Sequence, residues 1–85
     1  MKIEREHKYI LRKLYMDKII GEKHTSIVYL TKGAPPEFQR SISKAAKELI
    51  RKGYIVMKTT SYGMQVSLNI EMKPEIEQIL EINFT

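Results

Sequence analysis

Between Arg40 and Lys58 the chain carries six cations and one acid, Glu48. Gln39, Arg40, Ser43, Lys44, Lys47 and Arg51 are the polar residues whose types and spacing suggest chemistry. On a helix, positions 40, 43, 44, 47 and 51 fall on one face. Such a set suits the edges and backbone of a nucleic acid. An Arg forks onto guanine, a Gln amide pairs with adenine, and Ser and Lys reach bases or phosphates. The ordinary alternative is a solvated helix exterior, which is normally charged.

A second polar group follows closely: Lys58, Thr59, Thr60, Ser61 and Tyr62. One cation and several hydroxyls at the tip of a hairpin can donate to phosphates or enter a minor groove. Any hairpin turn is polar, so this group alone says little. Beside a basic helix it adds a second contact surface, with Lys58, Thr60 and Tyr62 as its contact residues.

Other chemistries lack their residues. There is no cysteine, so a disulfide framework, a thiolate zinc site and a cysteine nucleophile are all excluded. His7 and His24 are the only histidines, and no third ligand is spaced to join them, so no metal site is expected. His7 lies on the apolar rhythm of its segment and is read as packing against the core. Asp17 is the sole aspartate. No nucleophile–base pair and no Gly-rich phosphate loop is present, so neither an enzyme nor a cofactor is expected.

Charge is unevenly placed. The net charge is +5 over 85 residues, but residues 71–85 hold four acids against Lys73 alone. The first 70 residues therefore hold fourteen Lys and Arg against six acids. A basic body with an acidic tail favours an anionic partner on one face. The acidic end would repel DNA and should point away from it. The charged opening, MKIEREHKYILRK, has no apolar run resembling a secretory leader, and no stretch is long enough to span a bilayer. With cysteine absent, a cytoplasmic location is expected.

These residues need elements to carry them. The apolar rhythm of Ile3, His7, Ile10, Leu11, Leu14, Tyr15 and Ile19 predicts a first helix over about residues 2–19, stopped at Gly21. Ile27 to Leu30 favours a strand by propensity, but Thr25 or Ser26 could cap a short helix over about 26–32. The short helix is the reading adopted. Pro36 suits the first turn of a third helix, about 36–52, with Phe38, Ile42, Ala45, Ala46, Leu49 and Ile50 as its apolar stripe. Gly53 supplies its left-handed stop. Residues 54–70 form a hairpin turning at Gly63, with Met64, Val66, Leu68 and Ile70 facing one side and Gln65, Ser67 and Asn69 the other. A terminal helix covers about 74–82, with Ile76, Ile79, Leu80, Ile82 and Phe84 on its stripe. The whole of 1–85 is read as one domain.

The succession of helix, short helix, longer basic helix, hairpin and terminal helix resembles winged helix-turn-helix domains. The carriers are AKELIRKGYI, from Ala46 to Ile55, and the hairpin KTTSYGMQVSLN, from Lys58 to Asn69. Leu49, Gly53, Tyr54 and Ile55 fill the places where the family's recognition helix turns into the wing's first strand. The chain departs from the family at SIVYLTKGAPPEF, from Ser26 to Phe38, where an Ala-rich second helix is usual.

The resemblance implies an α+β winged helix-turn-helix with a two-stranded wing. It also implies double-stranded DNA as partner and a small transcriptional regulator as the role. The terminal apolar stripe either closes the monomer's core, the reading preferred here, or pairs with its twin in a homodimer, as such regulators often do. Winged domains also serve as protein-interaction adaptors, for which Tyr29, Tyr54 and Met57 would offer apolar surface. RNA or single-strand binding would need exposed aromatics, and most of the five tyrosines fall on apolar positions.

Overall fold

Local capping and turn signals set most of the element ends. The structure, a computed structural model, describes residues 1–82. Helix α1 (Arg5–Met16) begins where the His7 ring reaches back: its Nδ1 accepts the Glu4 N–H at 3.0 Å. It buries His7, Ile10, Leu11 and Leu14.

This helix is shorter than the expected 2–19. Lys18 takes a left-handed φ of 56°, and the Ile19 N–H closes the helix end on the Leu14 carbonyl at 2.9 Å. The cause lies elsewhere in the chain. Ile19 accepts the Leu68 N–H at 2.9 Å, and Gly21 donates to the Leu68 carbonyl at 3.0 Å. Those bonds form a parallel bridge between Ile20 and Leu68 that a helix through residue 19 would preclude, so the helix ends early.

The next segment divides between the two readings weighed for it. Strand β1 (Thr25–Ser26) is followed by a single 3₁₀ turn over Ile27–Leu30 in place of a helix over 26–32. Ser26 does cap it, accepting the Val28 N–H at 3.2 Å. Lys13 of α1 and Asp17 at its C-cap hold this turn. Lys13 Nζ donates to the Lys32 carbonyl at 2.9 Å and lies 4.5 Å from the centre of the Tyr29 ring, while the Tyr29 hydroxyl donates to Asp17.

Helix α2 (Pro36–Arg51) matches the expected third helix to within a residue at its C-terminal end. Gly53 adopts φ 85°, and the Tyr54 N–H bonds the Leu49 carbonyl at 3.0 Å, turning the chain directly into β2 (Ile55–Thr60). Phe38 departs from the expected core stripe, being 40% exposed. It sits in the first turn of α2, near Pro35, where the Arg5 guanidinium lies 5.4 Å from the centre of its ring.

β2 pairs antiparallel with β3 (Gly63–Leu68) from Ile55↔Leu68 to Thr60↔Gly63. β1 pairs antiparallel with the other edge of β3, so the sheet has three strands in the order β1-β3-β2 rather than the expected two. Over the described residues the protein is thus α+β, with three helices and a three-stranded antiparallel sheet. The expected sidedness of β3 holds only in part. Val66 and Leu68 are buried, but Met64 at the tip and Ile70 beyond the strand are exposed. Ser67 is also buried, because its hydroxyl donates to the Gly21 carbonyl at 3.1 Å beneath the 19–21 segment.

After a 3₁₀ turn at Ile70–Met72, helix α3 (Lys73–Ile79) is one residue earlier at its start and three shorter at its end than expected. Ile76 and Leu80 join the buried core cluster, and the Tyr15 hydroxyl donates to Glu77 at 2.7 Å. Phe84, expected on the same stripe, lies outside the described residues. Among the described residues no helix is long and apolar enough to cross a membrane.

Candidate nucleic-acid interface

The outer face of α2 follows from its buried one. Ile42, Ala45, Ala46 and Leu49 turn inward, so 100° steps carry Arg40, Ser43, Lys44, Lys47 and Arg51 outward, and all five are exposed. Arg40, Ser43, Lys44 and Lys47 line one shallow groove of about 500 Å³ with Glu37 and Ser41. Among the described residues none of Arg40, Lys44, Lys47, Arg51 and Lys58 stands within 4.0 Å of a carboxylate. Their charges therefore face solvent uncompensated at short range.

Glu48, the single acid between Arg40 and Lys58, is drawn to His7 rather than to a neighbouring cation. Its Oε1 lies 2.8 Å from Nε2 of His7, which is only 3% exposed. A backbone N–H can only donate, so the Glu4 bond fixes His7 Nδ1 as an acceptor and leaves the proton on Nε2. Nε2 then donates to Glu48. The sequence reading placed His7 in the core correctly but missed this partner. A helical periodicity gives no sign of a pairing 41 residues away.

Two expected contact residues are partly committed within the chain. Gln39 Nε2 donates to the Ala34 carbonyl at 3.1 Å, so bidentate pairing with adenine would require that bond to open. The Thr60 hydroxyl donates to the Gly63 carbonyl at 3.0 Å and accepts the Tyr62 N–H at 3.1 Å, which spends it on the hairpin turn. Lys58 is exposed, and Tyr62 is 92% exposed at the tip.

Asn69 carries a role that strand alternation did not suggest. Its amide donates to the Gly53 carbonyl at 2.9 Å, and its backbone N–H bonds the Tyr54 carbonyl at 2.9 Å. Oδ1 accepts the Glu71 N–H at 3.1 Å. One side chain thus joins the end of α2 to the exit of the hairpin and the start of the last turn. Asn69 is the N-cap of the Ile70–Met72 turn, and Asn is a residue type favoured at that position.

Among the described residues no group of three potential metal ligands is assembled. Compared with known proteins, the chain matches no family model, no curated protein and no solved structure.

Proposed function

We propose that this chain is a winged helix-turn-helix domain that binds double-stranded DNA as a small transcriptional regulator. The observation that carries the reading is the groove on α2, where Arg40, Lys44 and Lys47 converge with no short-range carboxylate partner among the described residues. The order of helix, short helical turn, longer basic helix and hairpin supports it, as does the direct turn from α2 into β2 at Gly53. In this reading α2 enters the major groove through Arg40, Ser43, Lys44 and Lys47, with Gln39 at its margin. Arg51, Lys58 and Tyr62 meet the flanking backbone, and Thr60 shapes the turn that presents Tyr62.

The test is a titration against duplex DNA at several salt concentrations. Each phosphate neutralised contributes a slope of about 0.9 in log K against log salt. Lys44→Gln with Lys47→Gln should flatten that slope by about 1.8, two such phosphates. Lys44→Glu with Lys47→Glu should abolish binding with little loss of folding, since both side chains are exposed. A double variant that binds as well as the parent removes α2 from the interface.

One observation favours a second reading, a protein-interaction module. Val56, Met57 and Met64 leave apolar surface on the hairpin. That reading predicts weak duplex affinity that scarcely responds to salt.

A further inference from the structure

Beside the basic groove lies a second, mostly apolar one of about 320 Å³, between the 3₁₀ turn and α2. Leu30 and Ala46 are buried beneath it, Ile27 is half-buried, and Val28 stands at its rim, 67% exposed. Ser43 and Lys47 line both grooves, so the two are continuous.

The backbone around Val28 decides what this rim can offer. Its N–H is taken by the Ser26 hydroxyl at 3.2 Å. Its carbonyl accepts the N–H groups of Thr31 and Lys32 and the Thr31 hydroxyl, each at 3.2 Å. Both polar groups of Val28 are satisfied within the turn. Only its isopropyl group remains to meet a partner, and that partner must present something apolar.

Resting on the DNA-binding reading above, we propose that this groove is a thymine-methyl subsite and that Val28 is a specificity-determining residue. In the major groove the C5-methyl of thymine is the apolar group that base edges present. A duplex seated on Arg40, Lys44 and Lys47 continues across Ser43 and Lys47 toward Val28. A thymine there places its methyl against Val28 and the floor at Ala46, and Lys47 takes the adjoining phosphate. Cytosine has no methyl and presents an amino donor at the corresponding edge, and neither polar group of the Val28 backbone is left free to meet it.

Alternating dA·dT and dA·dU duplexes differ only by that methyl and are the probes. The parent should bind the dU duplex about fourfold more weakly, the change expected for one buried methyl-sized group. Val28→Ser should bind both duplexes alike with an unchanged salt slope, and Val28→Ile should keep the preference. Thermal unfolding of Val28→Ser should match the parent, because the side chain is exposed. Equal binding of the two duplexes by the parent overturns the subsite and leaves the DNA-binding reading standing. Absence of any duplex binding overturns both. Self-association of the free protein that Val28→Ser abolishes would assign the groove to a second copy of the chain and overturn the subsite.

Discussion

Removing the Glu48 carboxylate should destabilise the fold more than a half-exposed acid on a basic helix would suggest. His7 is 3% exposed, and its Nδ1 is already committed to the Glu4 N–H at 3.0 Å. Its Nε2–H has Glu48 at 2.8 Å as its partner. In Glu48→Ala that donor is buried without an acceptor. A hydrogen bond to a charged group contributes about 1.5–3 kcal/mol, and an orphaned buried donor costs about 1–3 kcal/mol. These describe the same loss from two sides and do not add, so about 2 kcal/mol is expected. For a domain of this size each kcal/mol moves Tm by about 4–8 °C, so Tm should fall by about 8–16 °C. Glu48→Gln keeps a carbonyl acceptor at the same reach and should cost about 1 kcal/mol or less.

His7→Ala differs in kind. The Glu48 side chain is 32% exposed, so water can solvate the carboxylate that His7 abandons. Urea denaturation of the parent, both single variants and the double variant gives the coupling, which should be about 1–2 kcal/mol at unchanged m-value. On the DNA-binding reading, His7→Ala should also weaken duplex binding. The freed carboxylate sits at helical spacing from Lys44, Arg51 and Lys52 and can pair with them. A Glu48→Ala variant within about 0.5 kcal/mol of the parent, the range of an ordinary surface change, would refute this account of the pair.

Three further outcomes follow from the geometry. Asn69→Ala should cost about 1–2 kcal/mol and speed amide exchange at the base of the hairpin, because it frees the Gly53 carbonyl and the Glu71 N–H together. Phe38→Ala should cost only about 1 kcal/mol by chemical denaturation rather than the 3–5 of a fully buried Phe, since the ring is 40% exposed. The phenols of Tyr15 and Tyr29 are raised above the ordinary 10.0, first by donating to Glu77 and Asp17, then by burial and by the charge of those carboxylates. The folded state therefore holds protons that the unfolded chain releases. The stability this contributes is complete below about pH 10 and is lost as pH rises through the raised values. An alkaline absorbance titration should show two late tyrosines, one lost in Tyr15→Phe and the other in Tyr29→Phe.

Much of α2 was legible because its signals are local. Pro36 at its start, the 3–4 spacing from Ile42 to Leu49 and Gly53 at its stop all act within a few residues. The same spacing misled at Ile19, which is buried as the rhythm implied but through backbone pairing with Leu68. Phe38 misled in the opposite sense, because a stripe marks a direction and not whether anything packs against its first turn. A two-residue strand such as Thr25–Ser26 has no periodicity to detect, and its pairing to Val66 and Gln65 is a long-range event.

The order of side chains along the chain determined which residues of α2 turn outward and which inward, because a helix converts spacing into angle. It also determined the cationic excess and the left-handed stop at Gly53. Tertiary structure alone decided the third strand, the early end of α1, the burial of Ser67, and the withdrawal of Glu48 toward His7. Each of those depends on a hydrogen-bond partner distant in sequence, and a buried donor or acceptor takes whatever partner the packed chain brings to it.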